Sequence, residues 1–369
     1  MTVLVTGAAG FIGSYICREL LRRGEKVIGI DSLNDYYDVS LKRARLKILQ
    51  NSATTLSPPP SFKGEGQGGG SEWHTERPDI ASPSPLLTSP LEERGEGSFG
   101  NFTFLTLNVA DHASLNEALK NYFSEIEYII HLAGYAGVRH SIRNPFLYAE
   151  NNIMGQLSML ELCRNLPNLR HMVYASSSSI YGTSAKPPFS LDERADTPIA
   201  PYGATKRSAE ILSASYNHLY NLKLTGLRFF TVYGPWGRPD MAYFLFTKAI
   251  LAGEPIAVYN NGNMQRDFTW IDDIVSGILA ALYSLKSQGH RYYNLGNNKP
   301  EQLMDLISVL ENSIGKKAII NYAPTPPGDV FITYSDITKS REDFGYSPKV
   351  SIQEGLPKFV QWYREYYGV

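Results

Sequence analysis

Apolar residues along the first 230 positions fall into two rhythms that take turns. "TVLVTG" (2–7), "KVIGID" (26–31), "NFTFLTLNV" (101–109), "IEYIIHLAG" (126–134), "HMVYASS" (171–177) and "KLTGLRFF" (223–230) are short runs rich in β-branched and aromatic residues. Runs of that length and makeup predict buried strands. Between them, "FIGSYICRELLRRG" repeats apolar residues at Ile12, Ile16, Leu20 and Leu21 and stops at Gly24. That is helical spacing. "HASLNEALKNYF", "LKRARLKIL" and the stretches 145–165 and 202–220 read the same way. Strands that alternate with helices predict βαβ units, hence an α/β fold with a doubly wound parallel sheet over residues 1–230.

Beyond Phe230 the rhythm loosens, as in "GPWGRPDMAYF". Helices are expected near 243–252, 271–286, 300–314 and 351–366. Asp272 and Asp273 read as caps of the second of these. Residues 231–369 are therefore expected to form a smaller mixed lobe over the carboxyl edge of the sheet, with some segments returning to the first domain. One stretch fits neither rhythm. Residues 51–100 hold 7 Pro, 8 Gly and 8 Ser, too little apolar surface to offset the entropy of ordering. The expectation is a low-complexity, disordered surface insertion whose deletion leaves turnover near normal.

Composition narrows the function classes. The 35 basic and 36 acidic residues leave a net charge of −1. That balance gives no electrostatic reason to expect nucleic acid or an anionic membrane as partner. No apolar run approaches the ~20 residues of a membrane span, and a strand at the very start leaves no room for a signal peptide. Cys17 and Cys163 are distant and sit in helical patterns, so neither a disulfide nor a metal site is expected. A reducing, cytoplasmic setting fits.

"TGAAGFIG" places Gly7, Gly10 and Gly13 after a strand and before a helix. Such a turn lets a pyrophosphate approach the backbone at the positive end of the helix. Asp31 ends the next strand, where a carboxylate accepts both ribose hydroxyls and repels a 2′-phosphate, which favours NAD over NADP. Asn108 and Val109 end the third strand, where an adenine edge would lie, and Leu132 and Ala133 end the fourth, near the pyrophosphate or nicotinamide ribose. The sheet is thus expected to be of Rossmann type.

"PYGATKRSAE" sets Tyr202 and Lys206 four apart on one helix face. A free tyrosine, with a pKa near ~10, is a poor base at neutral pH. A lysine ammonium one turn away favours the phenolate, and Ser177 at a strand end could hold a substrate hydroxyl in line with it. Four serines in a row, Ser176 to Ser179, close that strand.

"TGAAGFIG", "YASSSSIYG" and "PYGATK" resemble the extended short-chain dehydrogenase/reductase family, the nucleotide-sugar epimerases and dehydratases. "GIDSLNDYYDVSLKRARL", "AGVRHSI", "LRFFTVYGPWGRPDMAYFLFTKAI", "RDFTWIDDIV", "YNLGNNKP" and "PPGDV" are similar, within it, to the UDP-glucuronate 4-epimerases. The likeness covers nearly the whole chain except 51–100. It implies a homodimer that oxidises and re-reduces C4 of a UDP-hexuronate with tightly bound NAD, Tyr202, Lys206 and Ser177 being catalytic. It adds Phe11, Ile12 and Asn34 to the cofactor set. It implies that Arg266 meets the diphosphate, Asp329 the uridine ribose and Tyr259 the uracil. Related dehydratases carry an Asp–Glu pair where Ser178 and Ser179 stand, and related decarboxylases a Glu at the second position. Neither acid is here. Ser178 and Ser179 are therefore expected to bind the sugar carboxylate with Thr231 and Arg139 or Arg238. Gly134, Tyr135 and Asn108 depart from the family pattern. A 4-epimerase of a neutral UDP-sugar is the competing enzyme reading, and a non-catalytic NAD-binding sensor the third.

Overall fold

The computed structural model of the chain describes residues 1–54, 97–183, 186–284, 289–326 and 328–369. Most of the low-complexity stretch, 55–96, lies outside them. Its edges do not behave as insertion. Residues 51–54 finish helix α2 (Val39–Thr54), and β3 (Gly97–Phe99) pairs antiparallel with β4 (Phe102–Thr106).

The alternating half of the chain builds one large sheet. In chain order it uses β1 (Thr2–Thr6), α1 (Phe11–Arg22), β2 (Lys26–Asp31), α2, β3, β4, α3 (His112–Leu119) and β5 (Ile126–His131). There follow α4 (Val138–Arg143), α5 (Pro145–Tyr148), a π turn (Ala149–Met154) and α6 (Gly155–Asn165). Then come β6 (His171–Ser177), α7 (Pro201–Tyr220) and β7 (Leu224–Phe229). With a late strand, β11 (His290–Leu295), at one edge, the sheet order is β11-β7-β6-β5-β1-β2-β4-β3. All its pairings are parallel except β3 with β4. Register explains why both faces are apolar. Leu4 sits beside Ile28 and Ile129, and Ile129 beside Met172, all buried on one face. Val3, Val27, Ile130 and Val173 point the other way into a second cluster. Side chains alternate along a strand, so helices must cover both sides.

The rest of the chain contributes β8 (Thr231–Tyr233), α8 (Ala242–Ala252), β9 (Pro255–Tyr259), β10 (Gln265–Trp270) and α9 (Ile271–Tyr283). It continues with β11 (His290–Leu295), β12 (Pro300–Gln302), α10 (Leu303–Ile314), β13 (Ile319–Ala323), α11 (Thr338–Phe344) and α12 (Ile352–Tyr367). Strands β12, β10 and β8 form a small mixed sheet, β13 and β9 a parallel pair. The expected helix at 300–314 starts at Leu303, because 300–302 pair with β10. Asp272 and Asp273 are not caps: Trp270 is the N-cap residue and makes no side-chain cap bond. Asp272 instead accepts the Trp270 indole N–H at 2.8 Å, and Asp273 accepts the backbone N–H groups of Lys349 and Val350 at 3.0 and 3.1 Å.

Candidate active site

In an open parallel sheet, ligands bind past the carboxyl ends of the strands where the strand order reverses. Here that point lies between β1 and β5. The cleft there is lined by Gly7, Gly10, Phe11, Ile12 and Gly13 from the turn after β1, by Asp31 and Asn34 after β2, by Asn108 and Val109 after β4, by Leu132 and Ala133 after β5, and by Tyr202 and Lys206 of α7. The sequence-derived cofactor residues thus share one cavity. Gly7 turns with φ +72°, and a Cβ on Gly13 would stand 2.0 Å from the Gly7 carbonyl oxygen. Helix α1 is capped by Gly10 with no side-chain hydrogen bond, so its positive end is left to a ligand. The turn therefore fits a dinucleotide pyrophosphate. Asp31 accepts the N–H groups of Ala9 and Leu33 at 3.2 and 2.9 Å, with the Lys42 ammonium 3.8 Å away. Lys42 also donates to Asn34 at two oxygens, and burial lowers its pKa. Asn108 spends its amide oxygen on the Ala110 N–H.

Ser177 ends β6 at the same cleft, facing α7, whose first position is Pro201. Burial raises the pKa of Tyr202, while the Ser177 hydroxyl and the Arg238 charge pull it down. Lys206 donates to the Ala175 carbonyl at 3.0 Å, and burial brings its pKa down to about 8.

The four serines divide. Ser176 spends its hydroxyl on Glu210, donating to it at 2.7 Å. Glu210 is fully buried and also receives Arg228 at both oxygens, 2.9 and 3.0 Å, and Arg207 at 2.9 Å. Arg228 continues to Tyr181, and Tyr181 to Asn294 of β11. This network ties the strand that carries Ser177 to the helix that carries Tyr202 and Lys206. Sequence reasoning missed it, although 202, 206 and 210 are successive turns of one face. After Ser177 the chain leaves the strand: Ser178–Ile180 form a 3-10 turn, and Ser177 accepts the Ser179 N–H at 3.2 Å.

The expected carboxylate set is split among four places. Ser178 and Ser179 line a small second cavity with Ala200 and Thr333. Arg238 lines the first cleft, bonded to Asp240 at 2.5 Å and to the Ala136 carbonyl at 3.2 Å. Arg139 pairs with Asp329 at 2.7 Å and lies over the Tyr259 ring, 4.6 Å from its centroid. Thr231 starts β8, opposite Phe268 of β10. Arg266, two residues earlier on β10, bonds to the carbonyls of Gln265 and Phe331 and has no ion pair among the described residues. Burial lowers its pKa, and Asp329 pulls the other way.

Residues 3–296 match the model of the NAD dependent epimerase/dehydratase family. The chain belongs to this family. Among its members, UDP-glucuronate 4-epimerase 4 of Arabidopsis thaliana is 41% identical over 385 aligned positions, spanning 100% of this chain and 76% of the plant protein. Protein CapI of Staphylococcus aureus is 40% identical over 383, spanning 100% and 99%. The crystal structure of the Bacillus cereus UDP-glucuronic acid 4-epimerase with UDP-glucuronic acid and NAD superposes with a TM-score of 0.81 at 32% identity, covering both chains fully.

Proposed function

We propose that this epimerase/dehydratase family member is a UDP-glucuronate 4-epimerase, interconverting UDP-glucuronate and UDP-galacturonate through a transient 4-keto sugar. The observation that carries the reading is the single cleft in which Ser177, Tyr202 and Lys206 meet the glycine-rich turn and Asp31, in a chain 41% identical to a plant enzyme of that name. Asp31 is the sole carboxylate among the described residues lining either cavity. Eliminating water from the sugar needs an acid and a base, and Asp31 lies at the cofactor end. Epimerisation needs no carboxylate pair, because one tyrosine takes and returns the single proton that moves.

Tyr202 takes the proton of the C4 hydroxyl, and Ser177 holds that oxygen. NAD, when bound, takes up the C4 hydride and returns it to the opposite face of the sugar. Tyr202 then gives its proton back to the same oxygen. The Arg238 charge favours the phenolate. Arg266 binds the diphosphate, since an anion there supplies the counter-charge its two carbonyl partners lack. Asp329 and Tyr259 hold uridine once Arg139 moves from them. Ser178, Ser179 and Thr231 offer neutral hydroxyls to the sugar carboxylate, with Arg139 or Arg238 as its cation. Binding energy from UDP lets the sugar stay loose enough to turn.

Incubation with UDP-glucuronate, followed by NMR, tests the reading: UDP-galacturonate should accumulate to equilibrium. Its absence, with UDP-glucose converted instead, would transfer the assignment to the neutral-sugar reading. A homodimer completes the proposal, supported by Phe146 on α5 and Ile211 and Leu219 on α7, all exposed. A cytoplasmic site fits the two free, buried thiols. The product is an activated uronate of the kind that polysaccharide synthesis consumes.

A further inference from the structure

Arg45 is the largest side chain on α2 to be shut away from solvent, 2% exposed. It has no ion-pair partner among the described residues. Its fork is shared by four neutral acceptors from three segments. Nη1 donates to the Ala9 carbonyl at 3.1 Å and to the Tyr37 hydroxyl at 2.7 Å. Nη2 donates to the carbonyls of Trp236 and Gly237 at 2.5 and 3.3 Å. Ala9 belongs to the glycine-rich turn, Tyr37 to the loop after β2, and Trp236 and Gly237 to the loop after β8.

A cation buried against neutral acceptors is costly, and a second constraint accompanies it. Trp236 holds a left-handed φ of +59°, a conformation that bulky residues keep only where the surroundings over-determine it. The same loop is stitched down elsewhere. Tyr15 of α1 donates to the Pro235 carbonyl at 3.1 Å. Tyr36, a neighbour of Tyr37, donates to the Ala136 carbonyl at 2.5 Å, and Arg238 donates to the same carbonyl at 3.2 Å. Tyr36, Tyr37 and Arg238 all line the cleft. The hydrogen bonds therefore close a ring around its rim, and Arg45 is the one side chain in it that joins the turn to the 234–240 loop.

We propose that Arg45 is a positioning residue that retains the cofactor between turnovers by locking the 234–240 loop to the glycine-rich turn. The proposal rests on the reading of the cleft as an NAD site. An enzyme that must return hydride from the same cofactor gains from slow cofactor release, and the lock opposes release without touching the ligand.

The test uses the purified full chain. NAD content after gel filtration, the rate of NAD release and the melting temperature are compared for wild type, Arg45→Lys and Tyr37→Phe. Arg45→Lys keeps the charge and loses the fork. It should release NAD about tenfold faster or more, and its turnover should become dependent on added NAD. Tyr37→Phe should shift the same way by less. Arg45→Lys that melts within a few degrees of wild type and keeps NAD equally well overturns the proposal. Should Arg45→Lys not fold, an unchanged release rate in Tyr37→Phe overturns it. Wild type that neither retains nor binds NAD overturns the functional reading itself, and the retention role with it.

Discussion

At the scale of single residues, Lys206 shows a cost set against a use. Burial lowers its pKa to about 8. A base depressed in the folded state leaves the unfolded chain with more bound protons between that value and the ordinary lysine value near ~10.4. Stability contributed by this site therefore rises with pH across that window, and the penalty stands in full below it. Lys206→Met should be more stable than wild type at pH 7, by on the order of 3 kcal/mol, and should lose turnover. Urea unfolding at pH 7 and at pH 10 measures both halves, and the gap should narrow at the higher pH. Tyr202→Phe should lower turnover by about 10²–10⁴-fold and leave the NAD content unchanged. Arg266→Ala should raise KM for the UDP-sugar by about tenfold or more, because a charge-assisted contact is lost from binding. Sequence was most informative here. Gly7, Gly13, Asp31, Tyr202 and Lys206 each sit at a fixed offset from a strand or helix end, so spacing alone locates them. Arg45, Lys42 and Tyr36 carry no such offset: their partners lie outside their own elements, and a one-dimensional pattern does not bring those together.

At the scale of elements, helix α7 lies unusually close to the serine turn. A Cβ on Gly203 would stand 2.5 Å from the Ser179 carbonyl oxygen. Gly203→Ala should push the helix and the turn apart, lowering kcat together with the melting temperature. The Glu210–Arg228 pair ties the same helix to β7. Glu210→Ala strands a buried guanidinium and should destabilise the protein by about 3–5 kcal/mol, read from chemical denaturation. Helices and long strands of the first 230 residues were legible because each repeats its period several times. The strands after β7 were not. β8 and β12 have three residues each, too few for alternation to register. Strand β3 lay inside a segment whose composition argued against any structure at all.

At the scale of the whole molecule, α5 and α7 present exposed apolar residues on the two stretches expected to pair in a dimer: Phe146 on the first, and Ile211, Leu219 and Tyr220 on the second. Phe146 is 79% and Leu219 64% exposed. Light scattering should give the mass of two chains for wild type, and Phe146→Asp with Leu219→Asp should shift it toward one.

Strand β11 is made late and placed early in the architecture. It lies at the end of the large sheet, hydrogen-bonded to β7 along six residue pairs. During synthesis, a ribosome that has released residue 230 has delivered every other strand of that sheet. The β7 edge then waits with a row of unpaired amides and carbonyls until Leu295 emerges. Such an edge is a template for pairing with other chains. A chain stopped at residue 230 should aggregate, while one supplied with the remainder in trans should recover. Residue 230 is thus a poor place to cut the gene.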